Sequence, residues 1–100
     1  MLFKHLKQME QRPGMYGCEN VDDIFKFISG YSIALSEHSL EQADTDAEKF
    51  SSFTDFVLAY YKLPSSHHNW SGIIKYYSGS SSRESFDNFF KLFNEFIKIK

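Results

Sequence analysis

Cysteine, proline and long apolar runs are scarce in this chain of 100 residues, which carries one cysteine, Cys18, and two prolines, Pro13 and Pro64. A lone cysteine excludes an internal disulfide. No apolar run reaches the length of a membrane span or has the form of a signal peptide, so a cytoplasmic protein with one unreactive thiol is expected. Metal-ligand spacing is missing too. His67 and His68 are adjacent and point apart on any regular element, no Cys or carboxylate stands at a ligand distance from them, and His5 and His38 are isolated. Gly14 and Gly17 follow no strand and do not fit a phosphate loop, and Ser80 to Ser82 lack a nucleophile-elbow context. Basic charge is not in surplus, with a formal net charge of −2, which counts against a nucleic-acid binder.

Aromatic residues are what the chain has in abundance: 11 Phe, 6 Tyr and one Trp, or 18% of the sequence. They supply large apolar area with few rotatable bonds, while 24% charged residues keep the surface hydrated, so a packed domain is expected and disorder is not. The charge is unevenly placed. Between Cys18 and Glu48 the acids Glu19, Asp22, Asp23, Glu37, Glu41, Asp44, Asp46 and Glu48 face Lys26 alone, and the rest of the chain is correspondingly positive. Such a split fits docking onto a basic partner.

The most informative stretch runs from Arg12 to Leu35. Pro13 disfavours helix at Arg12, so a first helix carrying Leu2, Leu6 and Met9 on one face should stop there. Gly14 and Gly17 then allow a tight reversal around Met15 and Tyr16. Asn20 can cap the next helix, with Asp22 and Asp23 in its first turn where the dipole favours carboxylates. Ile24, Phe27, Ile28, Tyr31 and Leu35 recur at helical spacing and predict one buried face from about Val21 to about Ser36.

The order of a leading helix, Arg12-Pro13-Gly14-Met15-Tyr16, a short acidic gap and a helix containing Phe27-Ile28-Ser29-Gly30-Tyr31 resembles small bacterial immunity proteins of contact-dependent growth inhibition and related polymorphic toxin systems. The resemblance covers residues 2 to 35. It implies a stoichiometric inhibitor of a cognate protein toxin, with no catalysis and no cofactor, in a complex that a third protein can join. The same five letters open the ATPase domain of gyrase B-type topoisomerases, but Ser29 to Ser32 offer no magnesium-binding Asn, and no Asp-x-Gly-x-Gly motif follows.

Downstream, Thr45 and Glu48 have capping-box spacing, and Phe50, Phe53, Val57, Tyr60 and Tyr61 fall on one stripe, which predicts a third helix from Thr45 to Pro64. Trp70, Ile73, Ile74 and Tyr77 predict a short fourth helix over residues 70–77, for which the β-favouring run Ile73 to Tyr77 makes a strand the competing reading. A serine-rich linker follows. Ser81 and Glu84 repeat the capping-box spacing ahead of a fifth helix with Phe86, Phe89, Phe90, Phe93, Phe96 and Ile97 inside. The expected fold is a single all-α domain over residues 1–100 with about five helices.

Charge alone nominates the partner-binding residues: Asp22, Asp23, Glu37, Glu41, Asp44, Asp46 and Glu48, with Tyr31 or Tyr61 as aromatic anchors. A toxin nuclease with a basic substrate channel is the partner this chemistry fits, through occlusion of its active site or of substrate access. Arg12, Pro13, Gly14, Met15 and Tyr16 are assigned to a structural turn. A small ligand-binding or adaptor domain with an aromatic interior is the alternative, and a hydrolase built on His67 or His68 a third. No metal, direct nucleic-acid contact or membrane contact is expected.

Overall fold

The computed structural model describes residues 2–37, 45–64, 68–79 and 81–98, and among them every regular element is helical. In chain order these are α1 (Leu2–Gln11), α2 (Pro13–Tyr16), α3 (Val21–Glu37), α4 (Thr45–Phe50), α5 (Phe53–Tyr60), α6 (Trp70–Tyr77) and α7 (Ser82–Lys98). None of these helices is long and apolar enough to cross a membrane.

The first reversal differs from the expected turn in one respect. Pro13 opens a single helical turn, α2, and only Gly17 at its end adopts a left-handed backbone, with φ of 67°. Gly14 lies inside that turn at negative φ and supplies no special conformation. Asn20 caps α3 as expected, its Oδ1 accepting from Asp23 N–H at 2.9 Å, and Asp23 Oδ2 accepts in return from Glu19 N–H at 3.0 Å. Along α3, Val21, Ile24 and Ile28 are buried, whereas Phe27, Tyr31 and Leu35 are half-buried, so the buried face fades toward the C-terminal end.

The expected third helix is two helices. Ser51 and Ser52 interrupt it, their hydroxyls donating to the carbonyls of Glu48 at 2.6 Å and Lys49 at 2.9 Å while their N–H groups turn to the same carbonyls. Short hydroxyl side chains compete with the helical ladder in this way, and the chain kinks between α4 and α5. Residues 70–77 are helix and not strand. Asn69 decides it, with Oδ1 accepting from the N–H groups of Ser71 and Gly72. The second capping signal holds, since Ser81 Oγ accepts from Glu84 N–H at 3.1 Å.

Phe53, fully buried, is the hub of the core. Its ring meets Phe50 at 4.9 Å, Phe96 at 5.2 Å, and Phe89 and Trp70 at 5.6 Å, mostly edge to face. Trp70 reaches Phe25 of α3 and Phe89 of α7, and Phe3 of α1 packs on Phe93. Buried serines tie the helix ends together. Ser85 Oγ accepts from Val21 N–H at 3.0 Å and donates to Ser82 O, and Ser78 Oγ accepts from Asn88 and donates to Ile74 O. Each removes a polar group from water with its bonds made, the condition for burying it cheaply.

Replacing Phe53 with Ala is expected to cost about 3–5 kcal/mol through lost burial and the cavity left behind. Ser85→Ala, which orphans the Val21 N–H, should cost about 1–3 kcal/mol. Urea denaturation measures both, and a Phe53→Ala protein as stable as the parent would remove this residue from the centre of the core.

Candidate functional site

Three of the residues nominated by charge, Asp22, Asp23 and Asp46, already have interactions within the chain. Asp22 is engaged by Lys75 of α6, Nζ to Oδ2 at 2.9 Å, and Asp23 is occupied at the start of its own helix. Asp46 accepts the Phe3 N–H at 3.2 Å and so anchors α4 to the first turn of α1. Glu37, at the far end of α3, and Glu48, on α4, are exposed. Glu41 and Asp44 lie outside the described residues, as do His38 and His67. Tyr31 is half-buried, its ring 6.1 Å from His5 and 6.4 Å from Phe27.

Within the motif, the turn assignment fits Pro13 and Tyr16. Tyr16 donates to Gln8 Oε1 at 2.9 Å, stands 3.1 Å from His5 Nδ1, and packs edge-on against Phe27 at 5.4 Å, so it locks α2 onto α1 and α3. Arg12 is exposed and Met15 is 67% exposed. Cys18 is buried beneath this turn, its Sγ directed at Tyr16 O. Burial, with the Asp23 carboxylate beside it, pushes the thiol pKa up, the opposite of an activated nucleophile. Among the described residues no group of His, Cys, Asp and Glu is arranged to hold a metal ion.

The surface that does converge is aromatic. Helices α5 and α6 run side by side in the same direction: Phe53 and Trp70 touch at their starts, and at their ends the rings of Tyr61, just past α5, and Tyr77, the last residue of α6, stack at 4.2 Å, within 4° of parallel. Tyr60 stands edge-on to Tyr61 at 5.0 Å and Tyr76 edge-on to Tyr77 at 5.2 Å, giving a continuous row of tyrosine rings. Tyr76 is 78% exposed. Beside the row a groove of about 620 Å³ is lined by Leu63, His68, Gly72, Ile73, Lys75, Tyr76 and Tyr77.

Helical spacing had assigned Tyr60, Tyr61 and Tyr77 to buried stripes. Tyr60 and Tyr77, in the last turns of their helices, are exposed instead, while Tyr61, just past the end of α5, is half-buried against the core. The end of α5 is also unusual. Lys62 takes a left-handed backbone, φ 57°, so that Leu63 N–H reaches Leu58 O at 2.9 Å and Lys62 N–H reaches Ala59 O at 3.1 Å. This closure is the one glycine usually provides, and a lysine there costs of order 1 kcal/mol. Pro64, two residues on, was the only sequence signal for it.

Comparison of the chain with protein-family models, with curated proteins and with solved structures finds no match to any of the three.

Burial, reinforced by the neighbouring Tyr60 and Tyr77, raises the Tyr61 pKa above the ordinary tyrosine value. A raised pKa in the folded state means that the unfolded chain loses this proton first. The Tyr61 contribution to stability is therefore complete below about pH 10 and is lost as pH climbs from there to the folded-state pKa. Cys18 acts in the same sense from about pH 9 upward. A Tyr61→Phe protein should lose less thermal stability than the parent between about pH 9 and pH 11, as followed by circular dichroism. Identical losses would place Tyr61 in water.

Proposed function

We propose that this protein is an inhibitor of the immunity type, which binds a toxin domain and blocks its action without catalysing a reaction. The observation that carries the reading is the row of tyrosines at the ends of α5 and α6. Tyrosine is enriched among the residues that dominate protein interfaces, because it contributes a large rigid ring and a hydroxyl at low entropic cost. Stacking of Tyr61 on Tyr77 holds the row in place before any partner arrives, so little ordering remains to be done on binding. The resemblance over residues 2 to 35 names the kind of partner, a toxin produced alongside its inhibitor, and the acid-rich segment from Cys18 to Glu48 suits a toxin of basic character such as a nuclease. Exposed Glu37 and Glu48 are free to contribute to attraction at long range, whereas Asp22, Asp23 and Asp46 already carry structural duties.

The aromatic interior, the basis of the ligand-binding alternative, is occupied by its own side chains: Phe53 is fully buried among Phe50, Trp70, Phe89 and Phe96.

Co-expression with the product of the gene immediately upstream tests the proposal. A toxic neighbour, a complex that co-purifies and restored growth are expected, and Tyr76→Ala should weaken the complex by about ten-fold or more while leaving the fold unchanged, since the ring is largely in water. A harmless neighbour that binds nothing would refute it.

A further inference from the structure

We infer that the groove along α6, bounded by Leu63 beyond the end of α5, takes a toxin segment in which an apolar side chain sits next to a carboxylate. The inhibitor then grips an acidic exosite on the toxin and not a phosphate-binding channel. The inference rests on the partner-binding reading above and adds the chemistry of the contact.

Shape gives the apolar half. Leu63, Ile73, Tyr76 and Tyr77 supply the apolar lining, Gly72 lets the His68 side chain pack close, and about 620 Å³ is space for large side chains. Charge gives the other half. Among the described residues the lining contains no carboxylate, and its groups able to carry positive charge are Lys75 and His68. Lys62, exposed, follows Tyr61 directly and precedes Leu63 of the groove wall. Lys75 is held by Asp22 through one contact between half-exposed side chains, 63% and 46% in water. Such a surface pair is weak, so an arriving carboxylate can share the ammonium at little cost. The tyrosine hydroxyls add donors that also suit a carboxylate. With Lys75 in its lining and Lys62 close by in sequence, the tyrosine-lined groove suits a carboxylate better than the lysines and arginines that would line a nuclease channel.

The test selects random displayed peptides on the full-length protein and measures the winners, made synthetically, by fluorescence anisotropy. Enriched sequences should place an aromatic or aliphatic residue beside Asp or Glu. Tyr76→Ala and Lys75→Glu should each weaken binding by about ten-fold or more, Lys75→Arg should retain it, and Lys91→Glu on α7 should change it little. Enrichment of basic sequences, indifference to Tyr76→Ala and Lys75→Glu, or a self-associating protein whose dimer is lost in Tyr76→Ala would each overturn the inference. A toxin complex that tolerates Lys75→Glu overturns it and leaves the inhibitor reading standing. Acidic peptides that bind in the groove without any complex with the upstream product overturn the inhibitor reading alone.

Discussion

Ring packing between Phe53 of α5 and Trp70 of α6 is the contact on which the rest depends. Each ring also has partners besides the other: Phe53 meets Phe50, Phe89 and Phe96, and Trp70 meets Phe25 and Phe89. Helices of only eight residues have little stability of their own, because nucleation consumes most of what their hydrogen bonds return. They persist here because their first turns are pinned in a shared aromatic core. With those starts fixed, the two short helices have no freedom to diverge before they end. Their terminal tyrosines therefore meet at stacking distance.

The outer row and the inner core are the same chemistry in two environments. Phenylalanine, without a polar atom, fills the interior, where edge-to-face pairs add about 0.5–1.5 kcal/mol each beyond their burial. Tyrosine takes the rim, where one edge of the ring meets protein and the hydroxyl meets water. A surface of this kind offers rigid area and hydrogen-bond donors, the features that residues dominating protein interfaces share. The buried Cys18, its pKa raised, belongs to the turn beneath Tyr16 and is remote from this surface in character.

Helical periodicity made the helices legible, and the capping residues Asn20 and Ser81 could be read directly because an Asx or Ser side chain before an apolar-periodic run commonly accepts from the free N–H groups of the first turn. The kink at Ser51 and Ser52 was not legible: the apolar stripe continues through it, and only the hydroxyl bonds to Glu48 and Lys49 break the ladder. Asn69 carried the information that separates helix from strand at residues 70–77, hidden in a polar stretch. The candidate site was the least legible part. Charge counted along the chain cannot know that Lys75 meets Asp22 or that Phe3 meets Asp46. Periodicity likewise has no knowledge of where the core ends, and so placed the terminal tyrosines inside it.

The central claim is that the tyrosine row and its groove are the working face of the molecule. Amide hydrogen exchange of the protein, alone and in complex with the product of the upstream gene, tests it most directly. Slowed exchange concentrated at the end of α5 and along the second half of α6, around Tyr60 to Leu63 and Gly72 to Ser78, is the predicted result. Protection confined to α1, α2 and the start of α7, with those segments unchanged, would contradict it.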